Sequence, residues 1–266
     1  MADDTHISFE EELEKMQPVT LEEMKSVKLM NRTDTKFLTN ETTLRGVLSD
    51  AGAAGYRVLV TEQERQSPYQ TVYFDTPQLR MFYDHHNRRL VRQKVRTRSY
   101  VRSQQTFLEI KRKNNHGRTS KKRIGIQPFE MMEFAGNPEA CAYLARHSWF
   151  TVGDLRPTLE TRFTRITLVN PDLTERLTID TRLGFRNFRT GQAASLQDAV
   201  IIELKQDGRA RSQMRSIFLD HRIKPMRVSK YCIGITLTEP AAKSGRFKVK
   251  VRALEKTIGR KITTVC

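Results

Sequence analysis

The chain has 266 residues, with 47 Lys and Arg against 30 Asp and Glu and a net charge of +17. Its three cysteines (Cys141, Cys232 and Cys266) form no CxxC pair. This argues against a disulfide framework or a cysteine-ligated zinc site and predicts a reducing, cytoplasmic environment. No apolar run approaches the ~20 residues that a membrane-spanning helix needs, and the acidic N-terminus is unlike a signal or transit peptide.

The charge is unevenly distributed along the chain. Residues 1–24 contain eight acidic residues and one lysine, so they carry −7 and the remainder carries +24. We divide the chain into an acidic N-terminal arm (1–27), one domain (28–240) and a basic C-terminal tail (241–266), the tail being a short strand, a helix or a flexible arm. The cationic body predicts a polyanionic partner such as nucleic acid, an anionic membrane or a phosphorylated small molecule.

Four helices are predicted, in chain order. The segment 41–53 begins after Asn40, a suitable N-cap, and the segments 77–86 and 137–149 each place a proline early in the first turn. The segment 208–221 has apolar residues at helical spacing.

Most of the remaining chain is predicted to form β-strands. Apolar and polar residues alternate in many of these segments, and short turn-rich gaps separate neighbours, as in antiparallel hairpins. The predicted strands are 56–61, 70–75, 91–101, 106–113, 119–127, 157–170, 174–181 and 199–205.

The polar positions of these strands are dominated by charges. In 91–101, Arg92, Lys94, Arg96 and Arg98 occupy alternate positions, so a strand would place all four on one face. Several other strands combine an apolar face with a face that holds both cations and carboxylates; in 157–170 that face is assigned to Glu160, Arg162 and Thr164. This pattern predicts an α+β fold, mainly an antiparallel β-barrel whose apolar faces pack outward against peripheral helices and whose charged faces line the inside. Such a lumen is costly to assemble empty, and a polyanion with a divalent metal would offset the cost.

A set of short motifs, in a fixed order, resembles a known family. The motifs resemble the polyphosphate polymerase domain of the vacuolar transporter chaperone (VTC) family, within the triphosphate tunnel metalloenzymes, over residues 28–235. They are RTDTKF (32–37), VYFDT (72–76), KVRTRSY (94–100), FLEIKRK (107–113), SKKRI (120–124), RLTIDT (176–181), IIELK (201–205) and SKY (229–231).

The resemblance implies an eight-stranded antiparallel tunnel that binds the triphosphate of ATP or a polyphosphate chain together with Mn²⁺ or Mg²⁺. The residues that match phosphate ligands of the tunnel are Lys36, Arg96, Arg98, Lys111, Lys121, Arg123 and Arg176, with Ser229 and Lys230 as the late serine–lysine pair. Glu203 matches the metal-binding glutamate, and Asp180 is the second metal candidate.

Some positions depart from the pattern of the family. Lys113 stands where eukaryotic members have histidine, Arg186 is assigned to the tunnel from its spacing after Asp180, and Lys205 shares the face of Glu203 as a further substrate-binding residue. Arg32 replaces the first glutamate of the ExExK pattern of related hydrolases, which favours the VTC branch. Arg92 and Lys94 match no ligand position and are expected at the tunnel mouth.

The function that this resemblance implies is metal-dependent transfer of the γ-phosphate of ATP to a growing inorganic polyphosphate chain. A triphosphatase is the alternative, because water in place of the acceptor would use the same cationic cradle. A non-enzymatic nucleic-acid-binding domain is less favoured, because it would expose cations and aromatics without carboxylates at matched strand positions. The family also implies a separate membrane protein as partner, which would bring the chain to the inner face of a membrane.

Three features have simpler structural interpretations. His85 and His86 lie near a helix end and point apart, so they are not expected to bind a metal. Tyr73 and Phe74 are expected in the core, and Ser229 has an alternative role as a cap.

Overall fold

A computed structural model of the chain describes residues 7–25, 32–208 and 211–265. The helices of this part are α1 (Glu10–Glu14), α2 (Leu21–Lys25), α3 (Glu41–Ala53), α4 (Arg80–His86), α5 (Pro138–His147), α6 (Gln213–Asp220), α7 (Lys230–Thr238) and α8 (Gly245–Ile258), with 3₁₀ turns at Pro128–Met131 and Val152–Asp154. No helix within these ranges has the length and apolar character needed to span a membrane.

Eight long strands form one antiparallel sheet in the order β2–β11–β9–β8–β4–β5–β6–β7. Four short strands extend it, with β10 continuing the edge of β9, β12 pairing with β10, and β1 pairing with β3, which pairs with β8. The strands are β1 (Pro18–Val19), β2 (Arg32–Asn40), β3 (Arg57–Leu59), β4 (Ser67–Asp75), β5 (Arg92–Tyr100), β6 (Gln105–Lys113), β7 (Thr119–Ile126), β8 (Arg156–Val169), β9 (Glu175–Asn187), β10 (Ala193–Leu196), β11 (Ala199–Asp207) and β12 (Thr264–Val265).

The predicted α+β fold with eight antiparallel strands is confirmed, with one qualification at the seam. Within the described ranges no backbone pairing joins the two end strands, β2 and β7, so the sheet curves into a tunnel without closing as a hydrogen-bonded barrel. Most of β7 is exposed, and cations occupy three of its eight positions. Charged residues on an exposed edge are a common way to discourage further strand pairing.

The outer face of the sheet is apolar and carries two cores. One lies under α3, α6 and α1 and includes Phe37, Ile179 and Ile202. The other lies under α5 and the first 3₁₀ turn and includes Val95 and Leu108. The period-two alternation of the strands therefore directs these side chains outward, toward the helices, and leaves the opposite face for charged residues.

A third core closes part of the inner face. Helix α7 lies against β8 and β9, with Tyr231 and Ile235 buried, and α8 packs over it through Phe247. Gly234 permits this approach, because a Cβ atom there would clash with Leu159. The sequence predicts no element over residues 230–238, since this largely apolar segment lacks the amphipathic spacing of a surface helix.

The described parts of the two terminal segments belong to the same folded body. In residues 7–25, Phe9, which precedes α1, and Leu13 of α1 lie in the first core, and β1 pairs with β3. The segment 241–266 contains α8, whose Leu254 is fully buried, and β12. These segments are therefore packed elements, and the basic tail is a helix followed by a short strand.

The helix predicted over 77–86 begins three residues later, at Arg80. Leu79 has a left-handed backbone (φ 57°), which breaks the helix before it can start at Pro77. The buried carboxylate of Asp75 caps the helix instead, accepting hydrogen bonds from the backbone N–H groups of Met81 and Phe82, both at 2.9 Å.

A bulge at Arg182 reverses the alternation of β9. Thr164 pairs with Thr181, whereas Arg162 pairs with Gly184, so β9 gains one residue, and Arg182 has φ 52°. Before the bulge the even-numbered residues of β9 face inward, and after it the odd-numbered residues do.

Candidate functional site

The inner face of the sheet is a curved surface of alternating charges. Register places charged side chains of five strands on this side: Lys36 of β2, Glu203 and Lys205 of β11, Arg176 and Asp180 of β9, Arg165 of β8, and Arg96, Arg98 and Lys94 of β5. Strand β6 adds Glu109 and Lys111, and β7 adds Lys121 and Arg123. Three carboxylates are spaced among these cations, and each is held by two cations, one of which, Lys230, comes from α7.

Glu203 is the carboxylate of the β2–β11 side. Lys36 Nζ donates to Glu203 Oε1, and Lys205 Nζ lies 3.4 Å from Oε2. Burial raises the pKa of Glu203, but Lys205, Lys36 and Lys111 outweigh burial and hold the pKa well below its ordinary value. Glu203 is therefore ionised, and a quarter of its side chain remains exposed.

Asp180 is a buried carboxylate that two cations hold. Arg165 grips it with two hydrogen bonds, Nε to Oδ1 at 2.6 Å and Nη2 to Oδ2 at 2.8 Å, and Lys230 Nζ also donates to Oδ2. Burial opposes ionisation, but Arg165 and Lys230 keep the pKa of Asp180 well below its ordinary value. Asp180 thus anchors two cations on the inner face.

Glu109 has the same role on the β5–β6 side. Arg96 donates to Glu109 Oε2 from Nε at 2.7 Å and from Nη2 at 2.5 Å, and Lys121 Nζ contacts Oε1. Although burial raises the pKa of Glu109, Arg96, Arg98 and Lys121 hold it well below its ordinary value. Sequence analysis assigned Glu109 no role.

Two cations of the inner face lack such an anchor. Arg98 is buried and donates from Nε to Thr71 Oγ1 at 3.1 Å, and it forms no ion pair in the described part of the chain. Burial, with repulsion from Arg96 and Arg165, lowers the pKa of Arg98 to about 10. Lys111 also forms no ion pair there, and Arg96 together with burial lowers its pKa well below the ordinary value. An anion that binds beside Arg98 and Lys111 therefore gains the most favourable electrostatic interaction on the inner face.

The N-terminus of α7 reaches the inner face. Ser229 accepts from the backbone N–H of Cys232 and so caps α7, which confirms the alternative role expected for it. Its hydroxyl also accepts from Lys94 Nζ at 2.7 Å. The adjacent Lys230 reaches Asp180, so the serine–lysine pair links α7 to β5 and β9.

The other predicted residues lie toward the edges of this surface. Arg123 is exposed and its guanidinium lies 4.4 Å from the centre of the Phe107 ring. Arg176 is half-buried on β9 in register with Lys205. Lys113 is half-buried at the end of β6 and pairs in register with Arg92.

Two sequence assignments are wrong, and both errors come from strand geometry. Arg186 is exposed and pairs in register with Glu160, because the bulge at Arg182 turns it away from the inner face. On β8 the inward residues are odd-numbered, including Phe163 and Arg165, so the predicted charged face of Glu160, Arg162 and Thr164 points the other way.

Arg165 is the main inner-face residue that sequence analysis missed. The alternation of apolar and polar residues is irregular around Arg165, so the sequence does not show which face it lies on. Its partner Asp180 lies on the next strand, and only the pairing register brings the two side chains together. Its guanidinium also lies 4.8 Å from the centre of the Tyr69 ring.

Tyr73 and Phe74 are buried, as expected, on opposite faces of β4. The Tyr73 hydroxyl accepts from Arg96 Nη1 at 3.3 Å. Burial raises the pKa of Tyr73, but Arg96, Arg98 and Lys94 more than compensate and lower it. Tyr73 therefore borders the cationic surface as well as the apolar core.

A divalent metal fits this surface only together with a phosphate substrate. The described residues contain no group of three or more His, Cys, Asp or Glu side chains able to hold a metal ion. Mg²⁺ is commonly held by one or two carboxylates plus substrate phosphates. Glu203, ionised and partly exposed, suits that arrangement. Asp180 does not, because its side chain is almost fully buried beneath Arg165 and Lys230, whereas that of Glu203 can still be reached by a ligand.

The eight-stranded antiparallel sheet with a cationic inner face defines the class of this protein as a triphosphate tunnel fold. A structure from Hippeastrum, described as that of an adenylyl cyclase candidate with a dominant triphosphatase activity, is similar to it with a TM-score of 0.51 and 14% identity, covering 78% of this chain and 96% of the other. A candidate adenylate cyclase from Bacillus halodurans has a TM-score of 0.49 and 12% identity, covering 75% and 96%.

The family follows from the sequence itself. The model of the VTC domain matches residues 31–239, and the chain belongs to the VTC domain family. A search of curated proteins finds no match. The resemblance seen in the motifs is therefore confirmed.

Proposed function

We propose that this chain is a polyphosphate polymerase that transfers the γ-phosphoryl group of ATP to a growing inorganic polyphosphate chain on its inner face. An oxygen of the terminal phosphate of the acceptor attacks the γ-phosphorus. The bond between that phosphorus and the β–γ bridging oxygen breaks, ADP leaves, and the chain becomes one phosphate longer.

The observation that carries this proposal is the incomplete charge balance of the inner face. Arg98 is buried and Lys111 is half-buried beside Arg96, and neither forms an ion pair with a carboxylate within the described ranges. Burying unpaired cations is expensive unless an anion completes the arrangement. A triphosphate or polyphosphate chain supplies adjacent negative charges, and the guanidinium fork suits phosphate oxygens.

The three carboxylates fix the cations before substrate arrives. Glu109 holds Arg96, Asp180 holds Arg165 and Lys230, and Glu203 holds Lys36. Phosphoryl transfer needs alignment of donor and acceptor and stabilisation of charge on the transferring group, with little covalent chemistry from the protein. A preset cationic surface provides both, and the remaining predicted ligands (Lys121, Arg123, Arg176, Lys113, Lys205 and Ser229) extend it.

Glu203 is the residue that we propose to hold Mn²⁺ or Mg²⁺ with the substrate. Such a metal would neutralise part of the negative charge of the substrate phosphates.

A tunnel triphosphatase is the second candidate. The related fold from Hippeastrum is described with a dominant triphosphatase activity. The same cations would bind the triphosphate, and water would replace the acceptor phosphate. A non-enzymatic polyanion-binding domain is the third candidate, and nucleic acid is the least favoured ligand because many of the cations lie inside the curved sheet.

One assay separates these candidates. Full-length protein is incubated with γ-labelled ATP and Mn²⁺, and the products are resolved into free phosphate and acid-labile polymer. The proposal predicts labelled polymer that an exopolyphosphatase degrades. Free phosphate alone would establish the triphosphatase, and absence of both products with retained polyphosphate binding would establish the binding domain. Glu203→Gln should abolish product formation, with Glu160→Gln on the outward side of β8 as the matched control.

We also propose a cytoplasmic location and a separate membrane protein as partner. The scattered cysteines support the first, since Cys141 and Cys232 are both unpaired thiols.

A further inference from the structure

A second group of cations lies where β5 and β6 leave the inner face. Arg92, at the start of β5, pairs in register with Lys113, at the end of β6, and both continue the inward-facing rows of Lys94 and Lys111. Arg227 lies two residues before Ser229, the cap of α7. Arg88, two residues after the end of α4, and Lys250 of α8, which interacts electrostatically with Arg227 and Arg88, complete the group. We call these residues the mouth cations: Arg88, Arg92, Lys113, Arg227 and Lys250.

Packing of α8 against α4 brings Lys250 to this place. Phe247 of α8 lies 5.9 Å from His85 and 5.6 Å from His86, ring centre to ring centre, and Lys250 Nζ lies 5.5 Å from the centre of the Phe247 ring. His85 in turn contacts Cys232 of α7, Nδ1 to Sγ at 3.0 Å. The mouth cations thus surround one junction of α4, α7 and α8 at the ends of β5 and β6.

These cations repel one another and have no carboxylate to balance them. Partial burial, with Arg92 and Arg227, lowers the pKa of Lys113, and burial, with Arg227, Arg88 and Lys94, lowers that of Lys250. None of the five forms an ion pair with another described residue. Nearby, by contrast, Arg89 pairs with Asp84 at 3.2 Å.

Lys94 connects the mouth to the inner face. It follows Arg92 on the same side of β5 and precedes Arg96, so cations stand at every second residue from Arg92 to Arg98, a span of ~20 Å. A linear polyphosphate, with a negative charge on each internal phosphate, matches such a continuous row. A triphosphate is shorter and contacts only part of this row of cations.

We infer that the mouth cations bind the part of a polyphosphate chain that extends beyond the inner face, so that affinity rises with chain length. This inference rests on the proposed function for its ligand. Lys250 lies outside residues 31–239, so the surface uses a helix that the family match does not include.

The test compares two triple variants of the full chain. R88Q/R227Q/K250Q removes three mouth cations, and K122Q/R146Q/R186Q removes three exposed cations elsewhere. Binding of inorganic triphosphate and of long-chain polyphosphate is measured over a range of salt concentrations. We expect the mouth variant to lose about tenfold in affinity for the long chain, to lower its salt slope by about 2, and to keep triphosphate affinity within twofold. The control variant should retain most of the long-chain affinity.

Each other result has a defined meaning. Equal losses in both variants, or wild-type affinity that does not depend on chain length, would overturn this inference and leave the proposed function standing. Failure of the wild type to bind either phosphate would overturn the proposed function. Vesicles containing phosphatidylserine and single-stranded RNA are tested in parallel; a mouth-dependent loss confined to either of them would also overturn the inference.

Discussion

The inner face and the mouth are both cationic, but only the inner face contains carboxylates. Glu109, Asp180 and Glu203 each hold two cations on the inner face, whereas the mouth cations have no such partners in the described chain. The difference follows from exposure to solvent. Water screens the more exposed charges of the mouth, whereas a buried charge is costly until a counter-ion or a bound anion balances it. Buried carboxylates therefore fix the geometry inside, while the mouth is suited to attract a flexible polyanion.

The largest effect is expected from removing an internal anchor. Asp180→Asn leaves Arg165 and Lys230 buried without their counter-ion, so the free energy of unfolding should fall by ~3–5 kcal/mol. Urea denaturation in phosphate-free buffer measures this change.

Asp198→Asn is the matched control. Asp198 pairs with Arg260 at 2.8 Å in an exposed position, and its loss should cost less than ~1 kcal/mol. If the free energy of unfolding fell equally in the two variants, the distinction between buried ion pairs of the inner face and exposed ion pairs would be contradicted.

The next effect concerns the buried cation without an anchor. Arg98→Met should lower turnover by about tenfold to a hundredfold, because a charged hydrogen bond to phosphate is lost. The free energy of unfolding without phosphate should not fall, since the variant removes an uncompensated buried charge. Arg162→Met, on the outward side of β8 with a largely exposed side chain, is the control and should change neither quantity.

A smaller effect is expected in the pH dependence of binding. Arg96 and burial lower the pKa of Lys111 in the native state well below its ordinary value of 10.5. Between the lowered pKa and pH 10.5, Lys111 is therefore more protonated in the unfolded chain than in the native protein. Native stability from this group therefore rises with pH across that window, while triphosphate affinity falls, because the anion favours protonated Lys111.

Calorimetry in buffers of different ionisation enthalpy tests this coupling. Binding of triphosphate in that window should take up as much as about one proton, and Lys111→Met should reduce the uptake. Lys122→Met, at an exposed position that pairs in register with Ile110, should retain it. Unchanged uptake in Lys111→Met would contradict the assignment.

The smallest effect is expected at Arg186. It is exposed and turned outward by the bulge, so Arg186→Gln should change stability by less than ~0.5 kcal/mol and turnover by less than twofold. A large loss of turnover in Arg186→Gln would contradict the outward orientation and indicate that Arg186 contacts the substrate.

The sequence predicts seven of the eight long strands, all except β2, and most of the inner-face cations, because period-two alternation is local. Arg96, Arg98 and Lys111 follow directly from it, and pairing between β5 and β6 confirms their common side. The bulge at Arg182 is not readable from alternation, because an arginine there carries no signal for a left-handed backbone.

Partnerships across strands are also hidden from the sequence. Arg165 and Asp180 are 15 residues apart and meet only through the register of β8 and β9. The position of α7 depends on tertiary packing, since its apolar residues are buried on several sides at once.

The most direct measurement is an experimental structure with inorganic triphosphate bound. We predict phosphate oxygens within hydrogen-bonding distance of the Arg98 guanidinium and the Lys111 ammonium group, with Glu109, Asp180 and Glu203 still holding their cations. Triphosphate bound only at the mouth or on the outer face, with Arg98 bonded to Thr71 as before, would contradict the account.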